Sequence, residues 1–117
     1  MPDPRAVPEV LGEAVTPGIQ LVTLLTRTGL QIGSAGNVSD AAAIAAITSN
    51  IWQTHEKSDL GSLACMLLEN LQGRLAIKDV GNFIIAICAD NSVPFGSLKA
   101  KVEALHDFLQ KSLLPGD

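Results

Sequence analysis

Two cysteines, two histidines, a glycine-serine run and one isolated arginine are the places where this 117-residue chain could do chemistry. Cys65 and Cys88 each sit inside an apolar run, and neither has a second ligand at the close spacing that zinc requires. His55 and His106 stand apart from them and from each other. The thiols therefore read as small buried hydrophobes rather than as a disulfide, which suits a reducing, intracellular setting. Gly33-Ser34-Ala35-Gly36 falls between an expected strand and an expected helix, where backbone amides can cradle a phosphate. It lacks the lysine of a phosphate loop and the third glycine of a dinucleotide turn, so it reads as a flexible strand-to-helix turn. Ser, His and Asp all occur, but no Gly-x-Ser-x-Gly elbow presents a nucleophile. The 12 acidic residues are scattered and propose no general acid–base pair. Arg74 is the only arginine outside the first helix and first turn, and hence the one candidate for an arginine finger. Its place in an expected hairpin makes it a structural or interface residue instead. Catalytic, cofactor-binding and metal-binding residues are all expected to be absent.

Composition excludes further classes. Hydrophobic residues make up 47% and charged residues 17%, too apolar a balance for a disordered chain. A net charge of −4 leaves no clustered cations for a phosphate backbone. Three Phe, one Trp and no Tyr offer no platform on which single-stranded bases could stack. Nucleic acid is therefore not an expected partner. The longest apolar runs, residues 63–68 and Phe83–Ala89, fall well short of the ~20 residues a membrane helix needs. No basic-then-apolar leader opens the chain, Pro2 replaces the glycine that myristoylation requires, and the final LPGD has no prenylation cysteine. Any membrane association would have to come through another chain, without direct insertion.

Periodicity supplies the elements that would position these residues. Val7, Val10, Leu11 and Ala14 form one helical stripe, with Pro8 tolerated in the first turn. Thr16-Pro17-Gly18 ends that helix. Residues 19–26 and 30–34 flank the turn signal Arg27-Thr28-Gly29 and predict a hairpin. Ser39 can cap a helix running to Lys57. Three strands are predicted over residues 63–71, 74–80 and 82–89, followed by a helix over 97–113 whose stripe is Leu98, Val102, Leu105 and Leu109 with Phe108 beside it. The order α-β-β-α-β-β-β-α predicts a single α+β domain over residues 1–117: a five-stranded antiparallel sheet with helices on both faces. The two-faced apolarity of residues 63–68 and 83–89 places both strands under helices. If strand 63–71 lies at a sheet edge, its one charge, Glu69, leaves that edge unprotected.

The helix from Ser39 to Lys57 carries no charge between Asp40 and Glu56. At 100° per residue Ile44, Ile47 and Ile51 share one face, which is expected to pack on the sheet. Ala42, Ala46, Ser49 and Gln53 form the opposite face, nearly bare of bulk. Alanine is the best helix former and could sit there for propensity alone. The alternative is that the bare face admits a partner helix while the neighbouring strand edge pairs with a partner strand. The candidate dimer interface is then Ala42, Ala46, Ser49, Asn50 and Gln53 of the helix with Leu63, Cys65, Leu67 and Glu69 of the strand. On this reading Ala46→Glu should break association and spare the fold, whereas Ile47→Glu should unfold the domain.

Ser49-Asn50-Ile51-Trp52, Gly73-Arg74 with Ala76-Ile77, and Phe95-Gly96-x-Leu98-Lys99-Ala100-Lys101 carry a resemblance across nearly the whole chain. They resemble the roadblock and dynein light chain family, and within it the roadblock subunit of the late endosomal and lysosomal adaptor complex Ragulator. The Val10-Leu11 pair and the Gly18-Ile19-Gln20 entry into the first strand also fit. The resemblance implies a profilin-like roadblock fold and a non-catalytic scaffold. It implies a heterodimer with a second roadblock subunit (the MAP-kinase scaffold partner), joined through the third strands and antiparallel second helices. It further implies a lipidated subunit anchoring the pair to the lysosomal or vacuolar membrane, and Rag-type small GTPases held there in amino-acid signalling to the TOR kinase. Two alternatives share the fold: a roadblock-type dynein light chain, and a roadblock regulator of a small GTPase. A profilin- or PAS-like small-ligand sensor would need an aromatic-lined pocket, and the alanine-rich helix leaves no obvious one.

Overall fold

The computed structural model describes residues 6–37, 41–57, 66–70 and 73–113. The elements are α1 (Ala6–Glu13), β1 (Ile19–Thr26), β2 (Gln31–Gly36), α2 (Ala41–Lys57), β3 (Met66–Asn70), β4 (Gly73–Val80), β5 (Phe83–Ala89) and α3 (Phe95–Leu113). Their order is the one read from the sequence. The strands form one sheet in the order β2-β1-β5-β4-β3, and every neighbouring pair is antiparallel.

Local chemistry explains the connections. α1 closes with tight i→i+3 bonds, Ala14 N to Leu11 O and Val15 N to Gly12 O, both 3.1 Å. The β1–β2 turn needs Gly29, whose φ of 98° is left-handed backbone that side chains resist. Gly81, with φ of 60°, serves the two-residue turn between β4 and β5, where Val80 faces Phe83.

β5 is the centre of the molecule, with Ile84, Ile85, Ala86 and Ile87 wholly buried. Its apolarity on both faces is the mark of a strand covered twice. On one face Val22, Leu24, Val80, Ile85 and Ile87 meet Leu11 of α1 and Leu98, Val102, Leu105 and Leu109 of α3. On the other, Leu25, Ile77, Ile84 and Ala86 meet Ala45 and Trp52 of α2. Each fully buried Leu or Ile contributes roughly 1.5–3 kcal/mol.

Among the described residues β3 has β4 alone beside it, so it stands at the sheet edge, the position the sequence left open. It begins at Met66, so Leu63 and Cys65 of the candidate interface lie outside the described residues.

Gly73 opens β4 where a Cβ would stand 2.4 Å from the carbonyl oxygen of Ala89 on β5. Gly12, by contrast, has open space around it. Gly73→Ala should therefore cost on the order of 1–3 kcal/mol, lowering the melting temperature by roughly 5–15 °C. Gly12→Ala, in a helix, should raise stability by up to about 1 kcal/mol. Thermal unfolding followed by circular dichroism measures both.

Candidate interaction surface

α2 is seated by polar groups at its second half. Ser49 Oγ donates to the carbonyl of Arg27 at 3.0 Å, and Gln53 Nε2 donates to the same carbonyl at 3.2 Å and to Ser49 Oγ at 3.0 Å. The absent side chain of Gly29 lets the β1–β2 turn close on the helix: a Cβ there would sit 3.3 Å from the Ser49 Cβ. Trp52 is buried, and the Arg27 guanidinium lies over its ring at 5.8 Å. The same guanidinium donates to the Gly81 carbonyl at 3.1 Å and approaches Asp79 at 3.9 Å. Arg27 thus joins the β1–β2 turn, α2 and the β4–β5 turn.

This seat rotates the helix away from the orientation expected from its isoleucines. Ala41, Ala45, Thr48, Ser49 and Trp52 are the buried positions. Ile44 and Ile51 are half-buried along one flank, packed against the cluster of Ile77 and Ile84. Ile47 does not pack on the sheet: it is 49% exposed. Ser49, expected on the partner-facing side, is only 5% exposed and is committed to Arg27. Gln53 is half-buried beside it. Trp52 decides the outcome, since an indole buries 150–250 Å², more than an isoleucine can. Alanines at 41 and 45 then let the helix approach the strands closely. The outward face is Ala42, Ala43, Ala46, Ile47, Asn50 and Thr54, with no charge on it. Ala42, Ala46 and Asn50 are exposed as expected; Ile47 was missed. The uncharged run 41–55 showed that some second face was apolar, but not which one.

The sheet offers two edges of different quality. β2 is irregular: its register with β1 shifts between Leu24 and Leu25, and Gly36 has φ of 97°. Bulges and bends of this kind blunt an edge. β3 pairs with β4 from Met66↔Ile77 to Asn70↔Gly73 with no shift. Leu67 and Glu69, both candidate interface residues, lie in this strand, Glu69 in register with Arg74. Among the described residues nothing pairs with its outer side, and a regular open edge is a template for another strand.

The residues considered for catalysis are placed elsewhere. Gly33-Ser34-Ala35-Gly36 belongs to β2 instead of forming a strand-to-helix turn. Ser34 Oγ lies 2.7 Å from the Thr23 hydroxyl, which also donates to the Gly33 carbonyl at 3.2 Å. This side-chain ladder holds the segment extended. Cys88 is a half-buried thiol in β5. His106 Nδ1 lies 3.1 Å from Asp107 on α3. Among the described residues no three His, Cys, Asp or Glu side chains come together as a metal site, and no helix is long and apolar enough to cross a membrane. Among the described residues the buried Thr48 hydroxyl finds no hydrogen-bond partner.

No protein-family model matches the chain. In sequence it is 25% identical over 115 residues to the Ragulator complex protein LAMTOR2 homolog of Caenorhabditis elegans, covering 94% of this chain and 91% of that one. In structure it is similar to Myxococcus xanthus MglB, with TM-score 0.81, 18% identity, and 93% and 88% of the two chains covered. It is also similar to a Roadblock/LC7 domain from Streptomyces avermitilis, with TM-score 0.83, 17% identity, and 92% and 98% covered. The resemblance read from the sequence holds, and so does the α+β fold.

Arg74 is occupied structurally. Its guanidinium lies over the Phe95 ring at 4.4 Å and donates to the Val93 carbonyl, fastening β4 to the start of α3. The loop it holds is itself fixed by Asp90, whose carboxylate accepts from the hydroxyl and, at 2.8 Å, the amide of Ser92. Those bonds lower the Asp90 pKa, so their contribution is present above the unfolded value and fades as pH falls through the lowered folded one. Arg74→Ala should cost about 1–2 kcal/mol by removing a stack and a hydrogen bond. Arg74→Lys should restore little, since lysine lacks the planar fork. Scanning calorimetry of the two variants checks this.

Proposed function

We propose that this chain, a roadblock-fold protein similar in sequence to a Ragulator subunit, is a single-domain, non-catalytic scaffold that works as half of a heterodimer. The observation that carries the reading is the pairing of a regular open edge at β3 with an uncharged, outward α2 face bearing Ile47. The partner of complementary form is a second roadblock-domain subunit. Its β3 would extend the sheet, and its α2 would pack against Ala43, Ile47 and Asn50, with Ala42 and Ala46 at the rim. The half-buried flank of Ile44 and Ile51, packed with Ile77 of β4, continues this surface toward the β3 edge. Such a pair should bury about 1,600 Å² or more in total.

The dimer in turn would hold Rag-type small GTPases at the cytoplasmic face of a late endosome, lysosome or vacuole, in amino-acid signalling to TOR. A separate lipidated subunit would supply the anchor. What supports this finer reading is similarity to the Ragulator complex protein over most of the chain. A GTPase-activating role is disfavoured by the engagement of Arg74 with Phe95 and Val93.

Two measurements test the proposal. Ile47→Glu should melt within a few degrees of the parent, because the residue faces solvent, yet weaken association with the second roadblock subunit at least about 30-fold, near 2 kcal/mol. Ala46→Glu, at the rim, should lose less. If Ile47→Glu binds normally, α2 is not in the interface. Affinity purification of the tagged protein should bring down a second roadblock subunit, a lipidated chain and Rag-type GTPases. Dynein intermediate chains in their place would keep the dimer and overturn the Ragulator reading.

A further inference from the structure

Two hydroxyls stand side by side on α2 and are treated unequally. Ser49 Oγ donates to the Arg27 carbonyl, whereas the fully buried Thr48 hydroxyl finds no hydrogen-bond partner among the described residues. A buried hydroxyl left unpaired costs free energy that a nearby acceptor would return. The isoleucines beside it are in the reverse position. Ile47 would gain from burial yet is 49% exposed, and Ile44 and Ile51 on the same flank are only half-buried. Four residues of one stripe are therefore short of the surroundings that suit them.

One motion answers all four. A screw of one residue along the helix, about 100° of rotation with about 1.5 Å of rise, sets each side chain where its successor stood. Ile44, Ile47 and Ile51 then take the buried places of Ala45, Thr48 and Trp52. Thr48 takes the place of Ser49 beside the Arg27 carbonyl. Trp52 moves to the half-buried place of Gln53, next to the β1–β2 turn. The losses are the Ser49 and Gln53 bonds and part of the burial of the indole. Against them stand three better-buried isoleucines and a satisfied threonine, so the two arrangements oppose gains and losses of the same kind. Helix shifts of this size are among the ordinary motions of packed helices.

We propose that α2 has two seats on the sheet, one residue apart, and that the choice between them switches the partner surface on and off. The observed seat presents Ile47. The second withdraws Ile47 into the core and turns Ala42, Ala46, Ser49 and Gln53 outward, a face with no large apolar side chain. The bonds from Ser49 and Gln53 to the Arg27 carbonyl hold the first seat, and the Thr48 hydroxyl serves the second. A partner that packs on Ile47 binds the first seat alone and draws the population to it. The link to association rests on the heterodimer reading; the two seats do not.

Trp52 is the single tryptophan of a chain without tyrosine, so its fluorescence reports the seat. In the double variant Ser49→Ala, Gln53→Ala the second seat should fill. Acrylamide quenching of Trp52 should then rise at least about twofold, while circular dichroism shows the fold intact. Adding Thr48→Val removes the bond of the second seat and should return quenching to the parental value. A helix with one seat would not re-bury its indole on losing a third polar group. If the double variant does not fold, Ser49→Ala alone should shift quenching the same way, and Thr48→Val should reverse it. Association with the second roadblock subunit should follow the same order, weakest in the double variant and recovered in the triple one. Two outcomes overturn the two seats: a folded double variant whose Trp52 is as shielded as in the parent, or a rise in quenching that Thr48→Val does not reverse. Normal association beside the expected quenching overturns their link to the partner, whereas α2 as part of the heterodimer interface stands or falls on Ile47→Glu.

Discussion

The seat of α2 on the sheet is the contact from which the rest of this surface follows. One carbonyl, that of Arg27, accepts from both Ser49 and Gln53, and the Arg27 guanidinium covers Trp52 from above. These contacts fix the helix about its own axis. Had Ile44, Ile47 and Ile51 all turned inward, Trp52 would have been levered toward solvent and Ser49 would have left the turn. The observed rotation instead buries the largest side chain and the smallest ones together, and leaves Ile47 outside. An exposed isoleucine on an uncharged helix face is a cost the monomer carries, on the order of what burying it would return. A partner subunit is the economical explanation of that cost.

The two sheet edges are treated unequally in the same sense. β2 is bent by a register shift and a left-handed glycine, devices that discourage strand addition. β3 has neither. An edge protected on one side only gives the sheet a direction in which to grow, and growth stops after one addition if the incoming subunit is protected likewise. Pairing through β3, as proposed, would therefore give a closed dimer rather than a fibre.

Much of the fold was legible in the sequence because periodicity and punctuation agreed. Leu98, Val102, Leu105 and Leu109 declared the buried stripe of α3, Asp90-Asn91-Ser92 declared the break before it, and the residues around Arg27-Thr28-Gly29 declared a hairpin. The eight elements and their order came from such signals. The site was harder. In α2 the alanines are compatible with either face, so the wheel alone ranked isoleucines inward and misplaced Ile47 and Ser49. What settles the rotation is a hydrogen bond to a carbonyl 22 residues earlier, which no local pattern contains. Composition left the place of β3 open, because an apolar run suits a central strand and an edge strand alike; the sheet order puts it at the edge.

Hydrogen exchange followed by mass spectrometry, on the chain alone and mixed with a second roadblock subunit, tests the central claim most directly. The account predicts that amides of β3 (Met66–Asn70) gain protection on mixing, that the exposed face of α2 follows, and that β2 (Gln31–Gly36) is unchanged. Protection gained at β2 with β3 unaffected, or no gain at either edge, would contradict it.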